Sequence, residues 1–448
     1  MIVMKFGGTS VASASDIERV AAIVAGRKER RPIVVVSAMG KTTDRLLEIA
    51  DLAIEGERDR ALELVAGLRR FHLDEGGECG GEVDAVFDEL AELVRGLAVL
   101  GELTPRSIDA ISSYGERLSS RIVAERFRAA GLNAAHVDSR ELIRTDSNHT
   151  HAGPNFEETY SRIVRRLPPL LETHDAVVMG GFIATDARGV TTTLGRGGSD
   201  FTASIAGAGL GAEEIQIWTD VDGLLTSDPR VVEAVHRVKV ISFDEASELA
   251  YFGARVLHPS TLLPAIEKNI PVMILNSHRP ETPGTRIVAD SVPCRNAIKS
   301  ISCKRGVTVV NICSTRMLGT HGFLRRIFRV FDEHETSVDM VSTSEVSVSA
   351  TIDNAAALAA IRAELAGFST VAVEDKQAII CLVGDNIRFT PGISGRIFQT
   401  LNGINVRMIS QGASLRNLGF VVAEEDVDRA IRLLHDELFA ELDPEVFD

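Results

Sequence analysis

The chain opens on Ile2-Val3-Met4-Lys5-Phe6, an apolar run of strand length. Helical spacing of apolar residues follows from Ile17 to Ala25, a continuous apolar run returns at Ile33-Val34-Val35-Val36, and helical spacing resumes from Arg45 to Ile54. Val177-Val178-Met179 and Ile215-Gln216-Ile217-Trp218-Thr219 are further strand-like runs. Val and Ile without polar alternation mark strands covered on both faces. The pattern therefore predicts an α/β fold over residues 1–290, with a mostly parallel sheet between helical layers. Asp59 to Leu100 is charged and rich in Ala, Leu and Glu, which predicts a helical insertion or lid.

At Pro280-Glu281-Thr282-Pro283-Gly284-Thr285 two prolines and a glycine predict a linker. Beyond it the pattern repeats. Arg326-Ile327-Phe328 returns as Arg396-Ile397-Phe398, and Val338-Asp339-Met340-Val341-Ser342 as Val406-Arg407-Met408-Ile409-Ser410, each match following a glycine turn at Gly322 or Gly392. A period near 70 residues in the order βαββαβ predicts two copies of a small α/β module, over 300–375 and 376–448.

Composition narrows the functional classes. With 45% hydrophobic and 25% charged residues, the 448-residue chain has the profile of a soluble globular protein. A net charge of −15 argues against nucleic acid or an anionic membrane as partner. Local cations and helix N-termini are still enough to hold a nucleotide's phosphates. Five scattered cysteines without a CxxC pair suggest reduced thiols, and the N-terminal apolar stretch is too short for a signal peptide, so a cytoplasmic setting is expected. No run of about 18 apolar residues suggests a membrane span.

Chemistry concentrates in five motifs. In Lys5-Phe6-Gly7-Gly8-Thr9-Ser10, two glycines let backbone approach a ligand, Thr9 and Ser10 can cap a following helix whose N–H groups would face phosphate, and Lys5 adds a cation. Ser37-Ala38-Met39-Gly40-Lys41-Thr42 looks like the end of a P-loop, but the required upstream glycine is Val35, inside the strand, so a P-loop is excluded. Ser37 and Thr43 remain candidate hydroxyl donors. Glu116, at a helix start after Gly115, could grip an ammonium group; a glutamate favoured by the helix dipole is the plainer reading. Thr193-Leu194-Gly195-Arg196-Gly197-Gly198-Ser199-Asp200 sets an arginine, suited to a bidentate carboxylate contact, among three glycines, with Asp200 opening a helix. Trp218-Thr219-Asp220-Val221-Asp222-Gly223 ends a buried strand in turns, where open α/β sheets bind ligands. His149-Thr150-His151 resembles a metal pair, but no third ligand is evident nearby, and no metal ligand is assigned to the protein's side chains.

Taken in this order, and with Phe252-Gly253-Ala254-Arg255-Val256-Leu257-His258-Pro259, these motifs resemble the aspartokinase branch of the amino-acid kinase family over nearly the whole chain. The paired C-terminal modules resemble that family's tandem ACT domains. The resemblance implies a three-layer αβα kinase domain and phosphorylation of the side-chain carboxylate of L-aspartate by ATP with Mg²⁺, giving 4-phospho-L-aspartate. It implies that Lys5 and Asp200 are catalytic and that Ser37, Thr43, Glu116 and Arg196 hold aspartate. Lys5, Gly7, Gly8, Thr219, Asp220, Leu225, Arg230, Arg255 and Val256 would meet the nucleotide. Leu225 and Arg255 depart from the tyrosine and lysine common in lysine-sensitive members.

The resemblance further implies feedback by L-lysine, with threonine or no effector as the alternative. Met317, Thr320, Phe323, Leu324, Ser337, Val338, Asp339, Ser344 and Glu345 would line the effector site, Asp339 and Glu345 supplying acidic partners. Interleaved modules, with 300–312 joining the second, and a homodimer or dimer of dimers through the ACT modules are also implied. Two rivals stand beside this reading: a kinase of the same fold acting on an acetylated substrate, whose missing ammonium would leave Glu116 without a cation, and a non-catalytic amino-acid sensor.

Overall fold

The computed structural model describes residues 1–77, 80–253, 259–317 and 321–448. Two compact units share the chain, Met1–Leu224 with Val256–Asp290 and Leu225–Arg255 with Ser291–Asp448. In the first unit the elements are β1 (Ile2–Phe6), α1 (Ala14–Ala25), β2 (Pro32–Val36), α2 (Thr42–Ile54), α3 (Arg58–Gly76), α4 (Gly80–Leu100), α5 (Pro105–Ser112), α6 (Tyr114–Ala129), β3 (Ala134–Val137), β4 (Arg144–Thr145), α7 (Phe156–Leu170), β5 (Ala176–Gly180), β6 (Ile183–Asp186), β7 (Thr191–Thr193), α8 (Gly198–Leu210) and β8 (Glu214–Thr219). After β9 (Val240–Ser242) and α9 (Phe243–Tyr251), which belong to the second unit, the first resumes with α10 (Leu263–Glu267), β10 (Val272–Asn276) and β11 (Thr285–Val288).

Strands β3-β5-β2-β1-β8-β10 lie side by side and all parallel, with β11 antiparallel to β10. Side chains on a strand alternate between faces. Ile2, Met4 and Phe6 turn to a core built with α1, α2, α3, α4 and α6. Val3 turns the other way, towards Gly207 on α8. Lys5 shares the face of Val3 and so points to the α8 side, which decides its partner.

Helices α3 and α4 are not a lid. Ala61, Val65, Leu68, Phe87, Leu90 and Val94 are buried in the same core as β1 and β2. The charged residues that suggested an insertion lie on the outer faces of long amphipathic helices. His72 is wholly buried here. Desolvation pushes its pKa down to about 4, against the hydrogen bond its Nδ1 makes to the Leu68 carbonyl.

The second unit is built on the antiparallel sheet β13-β14-β12-β15-β17-β16, formed by β12 (Ser300–Cys313), β13 (Val341–Thr343), β14 (Ser347–Ile352), β15 (Thr370–Val383), β16 (Met408–Gln411) and β17 (Asn417–Ala423). Its helices are α11 (Phe323–Glu333), α12 (Leu358–Ala366), α13 (Ile393–Thr400) and α14 (Val427–Leu438). The repeat read from sequence is visible: Gly322 and Gly392, both left-handed, precede α11 and α13, and Ile327 and Ile397 are each fully buried one turn on. Where the sequence suggested that 300–312 joins the second module whole, β12 divides. Ser300–Lys304 pairs with Ile379–Val383, whereas Thr308–Cys313 pairs with β14 and with Thr370–Glu374. A break in register between Lys304 and Val309 marks the division.

Candidate active site

Because Lys5 faces α8 near the C-terminal end of β1, it meets the first turn of that helix. Its Nζ lies 2.7 Å from Asp200 Oδ1, with both side chains largely buried. These two line a cavity of about 270 Å³ with Ser37, just beyond β2, Thr43, in the first turn of α2, and Glu116, in the first turn of α6. Five residues predicted from widely separated motifs thus converge at the C-terminal ends of parallel strands, the usual ligand position in such sheets.

Glu116 is only 4% exposed. Its Oε1 accepts a hydrogen bond from the Ala38 amide at 3.1 Å, and its Oε2, also buried, has no partner. Burial raises its pKa from 4.5 to about 8, against the pull of the Ala38 amide and of Lys5. An unpartnered buried carboxyl facing a cavity is suited to a cationic ligand. Across from it Lys5 supplies the positive charge an anion needs. The site therefore sets a cation opposite a carboxyl that an incoming ammonium group can ionise.

The glycine turn after β1 differs from its expected form. Gly8–Val11 is a short 3-10 turn, and α1 starts later, capped by Ser13, whose Oγ accepts from the Asp16 amide. Ser10 is buried and bonded to Ser277 Oγ at 2.8 Å, so neither Thr9 nor Ser10 caps a phosphate-facing helix. Gly8 is needed for another reason: a Cβ there would lie 2.7 Å from the Ala38 carbonyl oxygen. Gly7 sits beside the Lys5 ammonium.

Arg196 stands exposed on its loop, outside the cavity lining, while its neighbours Gly195 and Gly197 line the cavity. Gly198 and Ser199 of the same motif line it as well, and so does Phe182, which was not singled out from sequence. Phe182 holds φ +65°, uncommon for a bulky side chain, and is fixed by its amide to Thr202 Oγ1 and by its carbonyl to the Leu194 amide.

Thr219 ends β8 and Asp220 follows it; the Thr219 carbonyl accepts from the Ser277 amide at 2.8 Å, and neither residue lines the cavity. Leu225 and Arg230 belong to the second unit, with Arg230 forked onto its own neighbour Asp228 at 2.7 Å. Arg255 and Val256 lie outside the described residues. His149 Nδ1 is held by Asp109, and among the described residues no group of three His, Cys, Asp or Glu is placed to hold a metal ion.

The model of the amino acid kinase family matches residues 1–276, and that of the ACT domain matches residues 310–364 and 380–438. Aspartokinase 1, chloroplastic, of Arabidopsis thaliana is 40% identical over 98% of this chain and 80% of its own length. Lysine-sensitive aspartokinase 3 of Escherichia coli (strain K12) is 35% identical over 98% of this chain and 99% of its own. The chain belongs to the aspartokinases. The E. coli aspartokinase III structure in complex with aspartate and ADP (R-state) superposes with a TM-score of 0.84 at 34% identity, over 98% of this chain and 100% of that one. The same enzyme is known in complex with lysine and aspartate (T-state), again at a TM-score of 0.84.

In this aspartokinase the two acids expected at the effector site lie on either side of β13. Asp339, just before β13, has a side chain 3% exposed and is already engaged. Lys304 Nζ reaches its two oxygens at 2.8 and 2.9 Å, and the Tyr251 hydroxyl donates to it at 3.1 Å. Glu345 lies beyond the other end of β13, exposed in the Ser344–Ser347 turn. Met317, Phe323, Leu324, Ser337, Val338 and Ser344 lie along the same half of the sheet and at the start of α11, and Thr320 lies outside the described residues. No described helix is long and apolar enough to cross a membrane.

Proposed function

We propose that this enzyme transfers the γ-phosphoryl group of ATP to the β-carboxylate of L-aspartate, releasing ADP and 4-phospho-L-aspartate, and that L-lysine restrains it. The observation that carries the reading is the cavity in which the Lys5–Asp200 pair stands with the unpartnered carboxyl of Glu116. Aspartate needs both: a cation near its reacting carboxylate and an anion for its α-ammonium.

The nucleophile is a carboxylate whose ordinary pKa is about 4, so it arrives ionised and no general base is required. The barrier lies in bringing one anion against another and aligning them. Lys5 neutralises charge as it spreads over the transferred phosphoryl oxygens, and Asp200 holds Lys5 in place. Glu116 receives the α-ammonium, Ser37 and Thr43 offer hydroxyl donors, and Arg196 closes on the α-carboxylate. Thr219, Asp220 and the Gly7-Gly8 backbone serve the nucleotide. The ammonium of Lys5 and the backbone at Gly7 beside it fit an anionic phosphate chain. Mg²⁺ carried on the nucleotide supplies further neutralisation of its phosphates.

Lysine as effector is supported by the lysine-sensitive E. coli relative and its lysine complex. The test is a coupled ADP-release assay in which aspartate, N-acetyl-L-glutamate and N-acetyl-L-aspartate are offered in turn, then lysine and threonine are titrated. Turnover with aspartate alone and inhibition by lysine are expected. Preference for an acetylated acid would overturn the substrate, and inhibition by threonine without lysine would overturn the effector.

A further inference from the structure

Asp109, on α5, is fully buried, lies outside the cavity lining, and has no part in the chemistry above. Its carboxylate collects three donors: His149 Nδ1 at 2.6 Å, the Thr150 amide at 3.0 Å and Thr193 Oγ1 at 2.5 Å. Thr193 is the last residue of β7, directly before Leu194-Gly195-Arg196. On the other edge, the Ala152 amide donates to the Thr193 carbonyl at 3.0 Å. The segment 147–152 is therefore stitched to the end of β7 at two points.

That stitching holds Thr150 in a left-handed conformation, φ +71°, which a β-branched residue adopts only when its surroundings impose it. Thr150 and His151 then form a wall against Gly195, itself at φ +76°. A Cβ on Gly195 would lie 3.0 Å from His151 Cδ2 and 3.1 Å from the Thr150 carbonyl oxygen. Flanked by Gly195 and Gly197, Arg196 sits on backbone with little path preference of its own. The wall removes alternatives on one side.

We propose that Asp109 and His149 are positioning residues for the substrate-carboxylate loop: by fixing Thr150-His151 behind Gly195, they set the path of Arg196 and hence the affinity for an amino acid's α-carboxylate. This rests on the assignment of Arg196 to that carboxylate. The pair's effect is expected on ground-state binding, because the side chain it places, Arg196, is assigned to the α-carboxylate and not to the transferred phosphoryl group.

Replacing Asp109 outright leaves several buried donors unpaired and risks the fold, so the test uses His149. His149→Leu removes the donor at similar size, whereas His149→Asn can return an N–H near the Nδ1 position. Arg196→Ala is the reference. Steady-state kinetics are measured on the full chain, folding being checked by circular dichroism. His149→Leu is expected to raise the aspartate KM about tenfold, with kcat and the ATP KM changed by less than about threefold, and His149→Asn to recover most of the loss. The inference falls if folded His149→Leu keeps the parent aspartate KM, if the ATP KM moves equally, or if the Asn variant is no better than Leu. Should Arg196→Ala itself leave the aspartate KM unchanged, the assignment of Arg196 falls and takes this inference with it. A raised KM in Arg196→Ala with an unchanged one in His149→Leu overturns the positioning role alone.

Discussion

Glu116 is buried without a full set of partners, and its proton follows from that. The empty site keeps it protonated up to pH about 8, whereas an α-ammonium in the cavity selects the carboxylate. Aspartate binding near neutral pH should therefore release a proton, and affinity should climb as pH rises from 6 towards 8, by at most about tenfold per unit. Calorimetry in buffers of different ionisation enthalpy measures that proton; a binding heat independent of buffer at pH 7 would refute it. The folded empty protein holds this proton at pH values where the unfolded chain has lost it, so stability falls as pH rises from 4.5 towards 8, and Glu116→Gln should ease that loss. At Lys5 and Asp200 the expected effect is on turnover. Either alanine variant should lower kcat by about 10²–10³ with a much smaller change in aspartate binding. A purified, folded Lys5→Ala variant with near-parent kcat would remove the basis of the mechanism. That Lys5, Glu116 and Asp200 belong together was legible because each sits in a short glycine-bearing motif at a strand end or a helix start. Asp109 was not, since its partner His149 is 40 residues away and nothing local marks either as one half of a pair.

At the scale of elements, continuous apolar runs located the central strands, and the repeated Arg-Ile-Phe located α11 and α13. The role of α3 and α4 escaped because charge describes only the outer face of an amphipathic helix, while burial of Leu68, Phe87 and Leu90 depends on what lies beneath. The division of β12 escaped for a related reason: one uninterrupted strand carries no sign of which partner takes which half. Helix α9 shows a further element-level device. Ser242 and Glu245 form a capping box at its start, and Glu245 Oε1 also lies 2.9 Å from Lys299 Nζ, both side chains being fully buried. A buried pair of this kind contributes little net stability, but removing one partner strands the other. Lys299→Met should destabilise the second unit by about 3–5 kcal/mol in denaturant unfolding. A loss below about 1 kcal/mol would mean that Glu245 finds water or another partner.

At the scale of the whole molecule, feedback is the test of regulation. A ligand inhibits only by binding one arrangement better than another, with a coupling of typically about 1–3 kcal/mol. Glu345→Ala should raise the lysine concentration for half-inhibition at least about tenfold while leaving uninhibited turnover intact. Asp339→Ala should relieve inhibition less cleanly, because it also removes a partner of Tyr251 and one of the two acids that Lys304 holds, leaving it only Asp353. Equal lysine sensitivity in Glu345→Ala and the parent would exclude that carboxylate from the effector site. The sequence suggested a break near residue 290, yet Leu225–Arg255 belongs with Ser291–Asp448, bound there through Thr226 to His435 at 2.9 Å and through Glu245 to Lys299. Hence the regulatory half is no cassette. A gene exchange or protein chimera joined once at residue 290 would import a foreign sheet while keeping the resident α9, so the inherited pairings would be orphaned. Grafting a new effector specificity onto this enzyme calls for two exchanged segments, the short internal one travelling with the long terminal one.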